Sequence, residues 1–195
     1  LIAQAGRELV ALFEIAETVS STLELDRVLE LLANKTMRLT RAAASVVLLP
    51  DPSCPGRMSV AWAAGRSRRT ICSAHAVLGK GVTGRVAVQA EPYLGRFDQN
   101  DLQFDECSRA MLKFSSCMVV PIVSAAQVVG TLNLYGLSAR TFTEDDLRTM
   151  TAVANRAALA IQNARVFENV RDSAMKDPVT GLHNGRSLQI YLEHE

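Results

Sequence analysis

Apolar residues along the chain follow one rhythm, then another, then the first again. From Arg7 to Ser20 they recur at Leu9, Leu12, Phe13, Ala16 and Val19, the three-and-four spacing of one helical face. Ser20, Ser21 and Thr22 interrupt that run and offer hydroxyl oxygens for a helix start. A second helix is predicted from about Asp26 to Thr40, where Val28, Leu29, Leu31, Leu32, Met37 and Leu39 form a broad apolar side. The period then shortens. Ala44 to Leu49 is a β-branched and leucine run closed by Pro50, the pattern of a buried strand. Asp51 to Gly56 is turn chemistry. Met58 to Ala63 and Thr70 to Ala74 are further predicted strands, with Gly65 to Arg69 as a polar turn between them.

Gly79-Lys-Gly-Val-Thr-Gly84 is a glycine-rich loop leading into a short predicted helix, Arg85 to Ala90. Pro92 to Phe104 reads as irregular, and Asp101 to Lys113 predicts a short helix. Ser115 to Val123 and Gln127 to Tyr135 are the clearest strands, and their short link, Ser124-Ala-Ala126, predicts an antiparallel hairpin. From Thr143 to about Lys176 the pattern is helical again. Thr143 suits the N-cap, and Asp145 and Asp146 fall where the helix dipole favours acids. Leu147, Met150, Ala154, Ala157, Ile161 and Ala164 make one stripe; Val153, Ala160, Phe167, Val170 and Ala174 make a second. Such a helix runs roughly 45–50 Å at about 1.5 Å per residue, longer than one small domain covers. It is predicted to pack on its own sheet and then project as a two-stranded coiled coil. Helices segregated around an antiparallel sheet give the α+β class.

Composition narrows the functions without choosing one. The 195 residues are 48% hydrophobic and 21% charged, with a net charge of +1. That is globular composition, and it lacks the broad basic field of a nucleic-acid protein. No run reaches the roughly 18 apolar residues of a membrane helix. Cys54, Cys72, Cys107 and Cys117 form no CxxC pair, and His75, His183 and His194 are scattered, so no zinc pattern emerges. The chain begins at Leu1 and shows no basic-then-apolar leader, and its expected setting is the cytoplasm with free thiols. It reads as a piece of a longer protein.

The glycine loop fails as a Walker phosphate loop, because Lys80 precedes Thr83-Gly84 rather than following the last glycine. Gly79, Gly81 and Gly84 do satisfy the GxGxxG spacing. They lack the parallel βαβ setting and the following acidic residue that a dinucleotide site requires. A tight turn packed before a helix is the expectation.

Six segments in order carry a resemblance. They are Gly79-Lys-Gly-Val-Thr-Gly-Arg-Val86; Glu91-Pro92 with Asp98; Ser116 with Met118-Val-Val-Pro-Ile122; Val128-Val-Gly-Thr-Leu-Asn-Leu134; Arg140-Thr-Phe-Thr-Glu-Asp-Asp-Leu147; and Ala154 to Phe167. Over residues 25–167 the chain resembles a GAF domain. The resemblance implies a central antiparallel sheet of five or six strands, helices on one side and a small-molecule pocket on the other. The tail, Asp177-Pro-Val-Thr-Gly-Leu-His-Asn-Gly-Arg186, resembles the opening of a GGDEF diguanylate cyclase domain, with His183 where proline is usual and Gly185 where arginine is usual. The active loop and metal-binding carboxylates of such a domain are absent. The implied organisation is a leading helix (1–24), a GAF sensor (25–167), a helical linker (168–176) and the start of a cyclase domain (177–195). The chain itself is expected to catalyse nothing. Its expected role is to control cyclic di-GMP synthesis in a parent protein.

Within the GAF resemblance, Phe142 and Asp146 match half of the cyclic-nucleotide-binding set, whereas Gly136-Leu137 and Leu147 depart from it. Cys107 lies where bilin-binding members carry their attachment cysteine, but Ser108 rather than histidine follows. Thr83 stands where a methionine-sulfoxide reductase of this fold carries cysteine, and a hydroxyl is no thiolate. His75 is the sole histidine of the GAF region that could offer a haem ligand. The residues expected to face the pocket are Trp62, Arg85, Arg96, Phe97, Asp98, Phe104, Cys107 and Ser116, arginine to meet an anion and aromatic rings to stack. The alternative is that Trp62 and Phe104 are core while Arg96 and Asp98 are solvated. No cofactor or metal is identified, and the small-molecule effector stays unnamed. The expected partner is a second copy, through the N- and C-terminal helices, with no nucleic acid and no membrane. Two other readings stand beside this one: a ligand-free dimerisation platform and a cyclic-nucleotide-binding domain.

Overall fold

A computed structural model describes residues 24–103 and 113–175, with side chains of the last helix as far as residue 168. The expected first helix, Arg7 to Ser20, and the tail after Met175 lie outside the described residues. The elements are α1 (Leu25–Thr40), β1 (Ala44–Pro50), β2 (Arg57–Gly65), α2 (Arg68–Ile71), β3 (His75–Val77), α3 (Gly81–Gln89), β4 (Tyr93–Arg96), β5 (Ser116–Ser124), β6 (Gln127–Gly136) and α4 (Glu144–Met175). The strands form one six-stranded sheet in the order β3-β2-β1-β6-β5-β4, antiparallel at every pairing. The fold is α+β, as the pattern of elements predicted.

Strand alternation sorts the core into two layers. Val47 and Leu49 of β1, Met118, Val120 and Ile122 of β5, and Leu132 and Leu134 of β6 face α1 and α4. Those helices return Val28, Leu29, Leu32 and Ala33, and Met150, Val153, Ala154, Ala157 and Ile161. The intervening positions Ala44, Val46 and Leu48, with Cys117 and Tyr135, face the other way, beneath α2, β3 and Leu102. Both faces are thus covered, which is why β1 is apolar at four successive positions, Val46 to Leu49, rather than at alternate ones. Each fully buried aliphatic side chain contributes about 1.5–3 kcal/mol.

Three local structures differ from the sequence expectation, and of the short helix expected over Asp101 to Lys113 the first three residues are not helical while 104–112 lie outside the described residues. Thr70 to Ala74 is not a strand. Arg68–Ile71 is a short helix entered from Ser67 at φ 58°, and β3 follows at His75–Val77, paired with Arg57–Ser59. Buried Ile71 and Ala74 stand three apart, a spacing that serves a helical turn. Secondly, α1 starts at Leu25 behind Glu24, which makes no side-chain cap bond. Thirdly, Tyr93–Arg96 is an edge strand inside the stretch expected to be irregular. By contrast, α4 opens as predicted. The Thr143 N–H and hydroxyl donate to Asp146 Oδ2 at 2.8 Å, and the Asp146 N–H donates back to Thr143 Oγ1 at 3.2 Å, a reciprocal capping box.

The first stripe of α4 is buried from Met150 to Ala164, with Leu147 partly buried. Phe167 of the second stripe is 44% exposed; Val170 and Ala174 lie beyond the described side chains. Arg165 Nη2 donates to the Pro50 carbonyl at 3.3 Å, and the helix continues to Met175.

Candidate functional site

The face of the sheet away from α1 and α4 is organised by the glycine loop. Gly81 opens α3 at φ +64°. A side chain on Gly84 would run into the Val77 carbonyl, and one on Gly81 would meet Asp101 within 3 Å. The glycines therefore let α3 lie against β3 and against the chain around Asp101. Lys80, at the cap position, makes no side-chain cap bond. Asp101 does that work from outside the helix: its Oδ1 accepts the Thr83 N–H at 2.5 Å and its Oδ2 accepts the Thr83 hydroxyl at 2.7 Å. A carboxylate already occupies the helix N-terminus, so the GxGxxG spacing here serves packing and capping.

A buried hydrogen-bond chain extends from that cap to the sheet. Asn133 Nδ2 donates to Thr83 Oγ1 at 2.6 Å and to the Tyr135 hydroxyl at 3.1 Å. Asp101 is 2% exposed, and Thr83 and Asn133 are fully buried. Burial pushes the Asp101 carboxyl up, against the Thr83 hydrogen bonds that lower it. It also pushes the Tyr135 phenol well up, with the Asp101 charge acting in the same direction. Asn133 Oδ1, Thr131 Oγ1 and Ser116 Oγ are buried and find no hydrogen-bond partner among the described residues.

Beside this chain three rings close on one another. Phe114 stacks on Tyr135 at 5.1 Å, and Phe97 meets both edge-on at 5.5 and 5.4 Å, within the range where such pairs attract. Cys117 lies among them, its thiol donating to the Arg96 carbonyl at 3.4 Å. Burial pushes that thiol up to about 12, so it is no nucleophile at neutral pH.

The eight expected pocket residues separate. Phe97 belongs to the ring cluster, and Ser116 is buried at the end of β5, opposite Gly136. Trp62 packs instead on the helix-side core, with the Arg68 guanidinium 5.3 Å over its ring. Period-two alternation puts it on the face opposite Ala63. Arg85 and Arg96 are exposed, and Arg96 enters through its backbone alone. Asp98 is exposed and accepts the Asn100 N–H at 2.8 Å. Phe104 and Cys107 lie outside the described residues. Asp101, Asn133, Tyr135 and Phe114 were missed. One signal was available for two of them: Asn133 and Tyr135 alternate with Leu132 and Leu134 in a strand buried on both faces, where a polar residue requires a partner.

The half-set shared with cyclic-nucleotide binders has structural work. Phe142 is buried in the helix-side core, and Asp146 completes the α4 capping box. His75 sits at the start of β3, its imidazole lowered chiefly by burial. Among the described residues no group of three His, Cys, Asp or Glu could hold a metal ion, and no helix is long and apolar enough to cross a membrane.

Comparison with known proteins agrees with this architecture. A family model described as "GAF domain" matches residues 22–162. The GAF domain of an Acinetobacter phosphoenolpyruvate-protein phosphotransferase is similar at a TM-score of 0.70 and 16% identity, covering 82% of this chain and 95% of that one. Its Coxiella burnetii counterpart is similar at 0.71 and 18%, covering 83% and 96%. A free methionine-R-sulfoxide reductase from Neisseria meningitidis, in complex with its substrate, reaches 0.68 and 16%, covering 84% and 93%. At 16–18% identity, these structural likenesses show a shared fold and nothing further. A search of curated protein sequences finds no significant match.

Proposed function

The chain belongs to the GAF domain family, and from that premise we propose that it is the sensory module of a diguanylate cyclase signalling protein, working as a dimer through its terminal helices. The observation carrying this reading is the last helix. It is buried against the sheet as far as Ala164, holds the end of the inner strand β1 through Arg165 and Pro50, and runs on to Met175. A shift in sheet packing turns or slides such a helix as a rigid body, and the helix hands that movement to the segment beyond its C-terminus. In sequence that segment is Asp177 to Arg186, the stretch that resembles a cyclase opening. The cytoplasm is the setting in which the substrate of such an enzyme is found.

Coupling through a helix depends on its phase. In the full-length protein, inserting two residues after Phe167 rotates everything downstream by about 200°, whereas seven residues restore the phase to within about 20°. Cyclic di-GMP synthesis is expected to change strongly with two and to recover with seven. A parent protein that makes no cyclic di-GMP, or whose output ignores helix phase, would overturn the proposal.

A ligand-free scaffold is the second reading, and the ring cluster favours it. Phe97, Phe114 and Tyr135 pack on one another on the face where a guest would lie. Native mass spectrometry of the purified protein separates the two, since a co-purified small molecule would remove the scaffold reading.

A further inference from the structure

Arg85 was expected to meet an anion in the sheet-face pocket, yet it lies on the outer side of α3, where a different cavity opens. This notch of about 120 Å³ is walled by Val82, Arg85, Val86 and Gln89 on one side and by Glu91, Pro92 and Tyr93 on the other. That is about four water volumes at ~30 Å³ each, room for a small metabolite. Its floor is apolar: Val82 and Val86 are 4% and 3% exposed and pack with Val119 and Tyr93. Its rim carries one charge of each sign. Arg85 and Glu91 make no ion pair with each other or with another described residue. Two opposite charges that share a small cavity without closing on each other leave a gap with a positive and a negative end.

The backbone sharpens that polarity. The four residues before Ala90 end α3, and the helix closes with Ala90 at φ 58°, its N–H donating to the Val86 carbonyl. The last carbonyls of a helix are its partially negative end, and they lie on the Gln89–Glu91 side. Arg85 stands a full turn earlier, close enough to Tyr93 that its charge opposes part of the rise that burial imposes on the phenol. The left-handed turn at Ala90 and the fixed φ of Pro92 set both walls before any guest arrives.

We infer that the notch between α3 and β4 binds a small zwitterion of the α-amino-acid type. Its carboxylate meets the Arg85 guanidinium, its ammonium meets Glu91 and the helix C-terminus, and its side chain lies on Val82, Val86 and Tyr93. This site opens on the other side of Val82 from the glycine-loop cap and of Tyr93 from the ring-side core, and it stands whether or not the helix-coupling reading holds.

The test is a protein-observed NMR titration of the full chain with L-alanine, with propionate, which is alanine without its ammonium, and with ethylammonium, which is alanine without its carboxylate. L-alanine is expected to shift the amide signals of Val82, Val86 and Tyr93, with each single-charge probe at least about tenfold weaker. Arg85→Gln and Glu91→Gln, both at exposed positions, should each weaken L-alanine by a similar factor and leave the rest of the spectrum in place. No shift at those three residues with L-alanine, equal binding of propionate or ethylammonium, or indifference to both substitutions would overturn the inference. Loss of cyclic di-GMP control in the parent, with L-alanine binding intact, would count against the helix-coupling reading alone.

Discussion

Asp101 and Thr83 are joined twice, through the backbone N–H at 2.5 Å and the hydroxyl at 2.7 Å, although eighteen residues separate them. One carboxylate thereby starts α3, anchors the chain leaving β4 and, through Asn133, ties both to the middle of the sheet. Replacing Asp101 with Ala strands the Thr83 N–H and hydroxyl in a buried site. The expected loss is about 2–4 kcal/mol of unfolding free energy, read from urea denaturation. Asp101→Asn keeps an acceptor and a similar shape, and should lose less than half as much.

The same carboxyl sets a pH dependence. Burial, the larger effect, raises it on folding, while the Thr83 bonds pull the other way. A carboxyl raised on folding supports the folded state fully below its unfolded value of about 4, and that support fades as pH rises through the folded value. Wild type should therefore lose stability relative to Asp101→Asn as the pH climbs from about 4 toward neutrality. Parallel urea midpoints across that range check the slope; a slope of opposite sign would mean the hydrogen bonds outweigh burial.

At Gly84 the close approach to the Val77 carbonyl leaves no room for a methyl group. Gly84→Ala must push α3 off β3 and should destabilise by roughly 2–4 kcal/mol. Gly79→Ala is the contrast, since nothing lies within 4 Å there. Only its φ of +77° opposes a side chain, so about 1–2 kcal/mol is expected. Thermal unfolding of the two variants side by side tests the ranking.

The β5–β6 hairpin turns through Ala125 and Ala126 at φ 47° and 63°, a geometry that asparagine and glycine adopt far more readily. Ala125→Asn with Ala126→Gly should add about 1–2 kcal/mol. Unchanged or lowered stability would show that the alanines carry no strain.

Thiol reactivity should divide cleanly. Cys54 and Cys72 are exposed, whereas Cys117 is buried and its thiol is raised to about 12. At pH 8 an aromatic disulfide reagent should modify Cys54 and Cys72 within minutes. Cys117 should react only after denaturant is added, as peptide mapping would reveal. Rapid labelling of native Cys117 would contradict its placement among the rings.

Much of this molecule was written locally. The β5–β6 hairpin, the α4 capping box and the buried stripe of α4 follow from short-range rules, because each rests on residues a few positions apart. Local rules failed at Thr70 to Ala74, where a helical turn replaced the expected strand. They failed again at Trp62: an aromatic residue in a strand buries its ring, but which face it buries depends on the register with β1, where Trp62 pairs with Val47 across a bulge.

By itself, then, the sequence determined the family, the α+β class and the apolar faces, since composition and period are properties of neighbours along the chain. Only the tertiary structure decided which polar residues meet. Asp101, Thr83 and Asn133 come from a loop, a helix and a strand, and nothing in their spacing links them. Likewise Arg85 and Glu91, six positions apart, share a notch because Ala90 turns the chain back past α3. The burial of a charge, and the gap between two of them, are set by what folds over them, and that is a property of the whole packed chain.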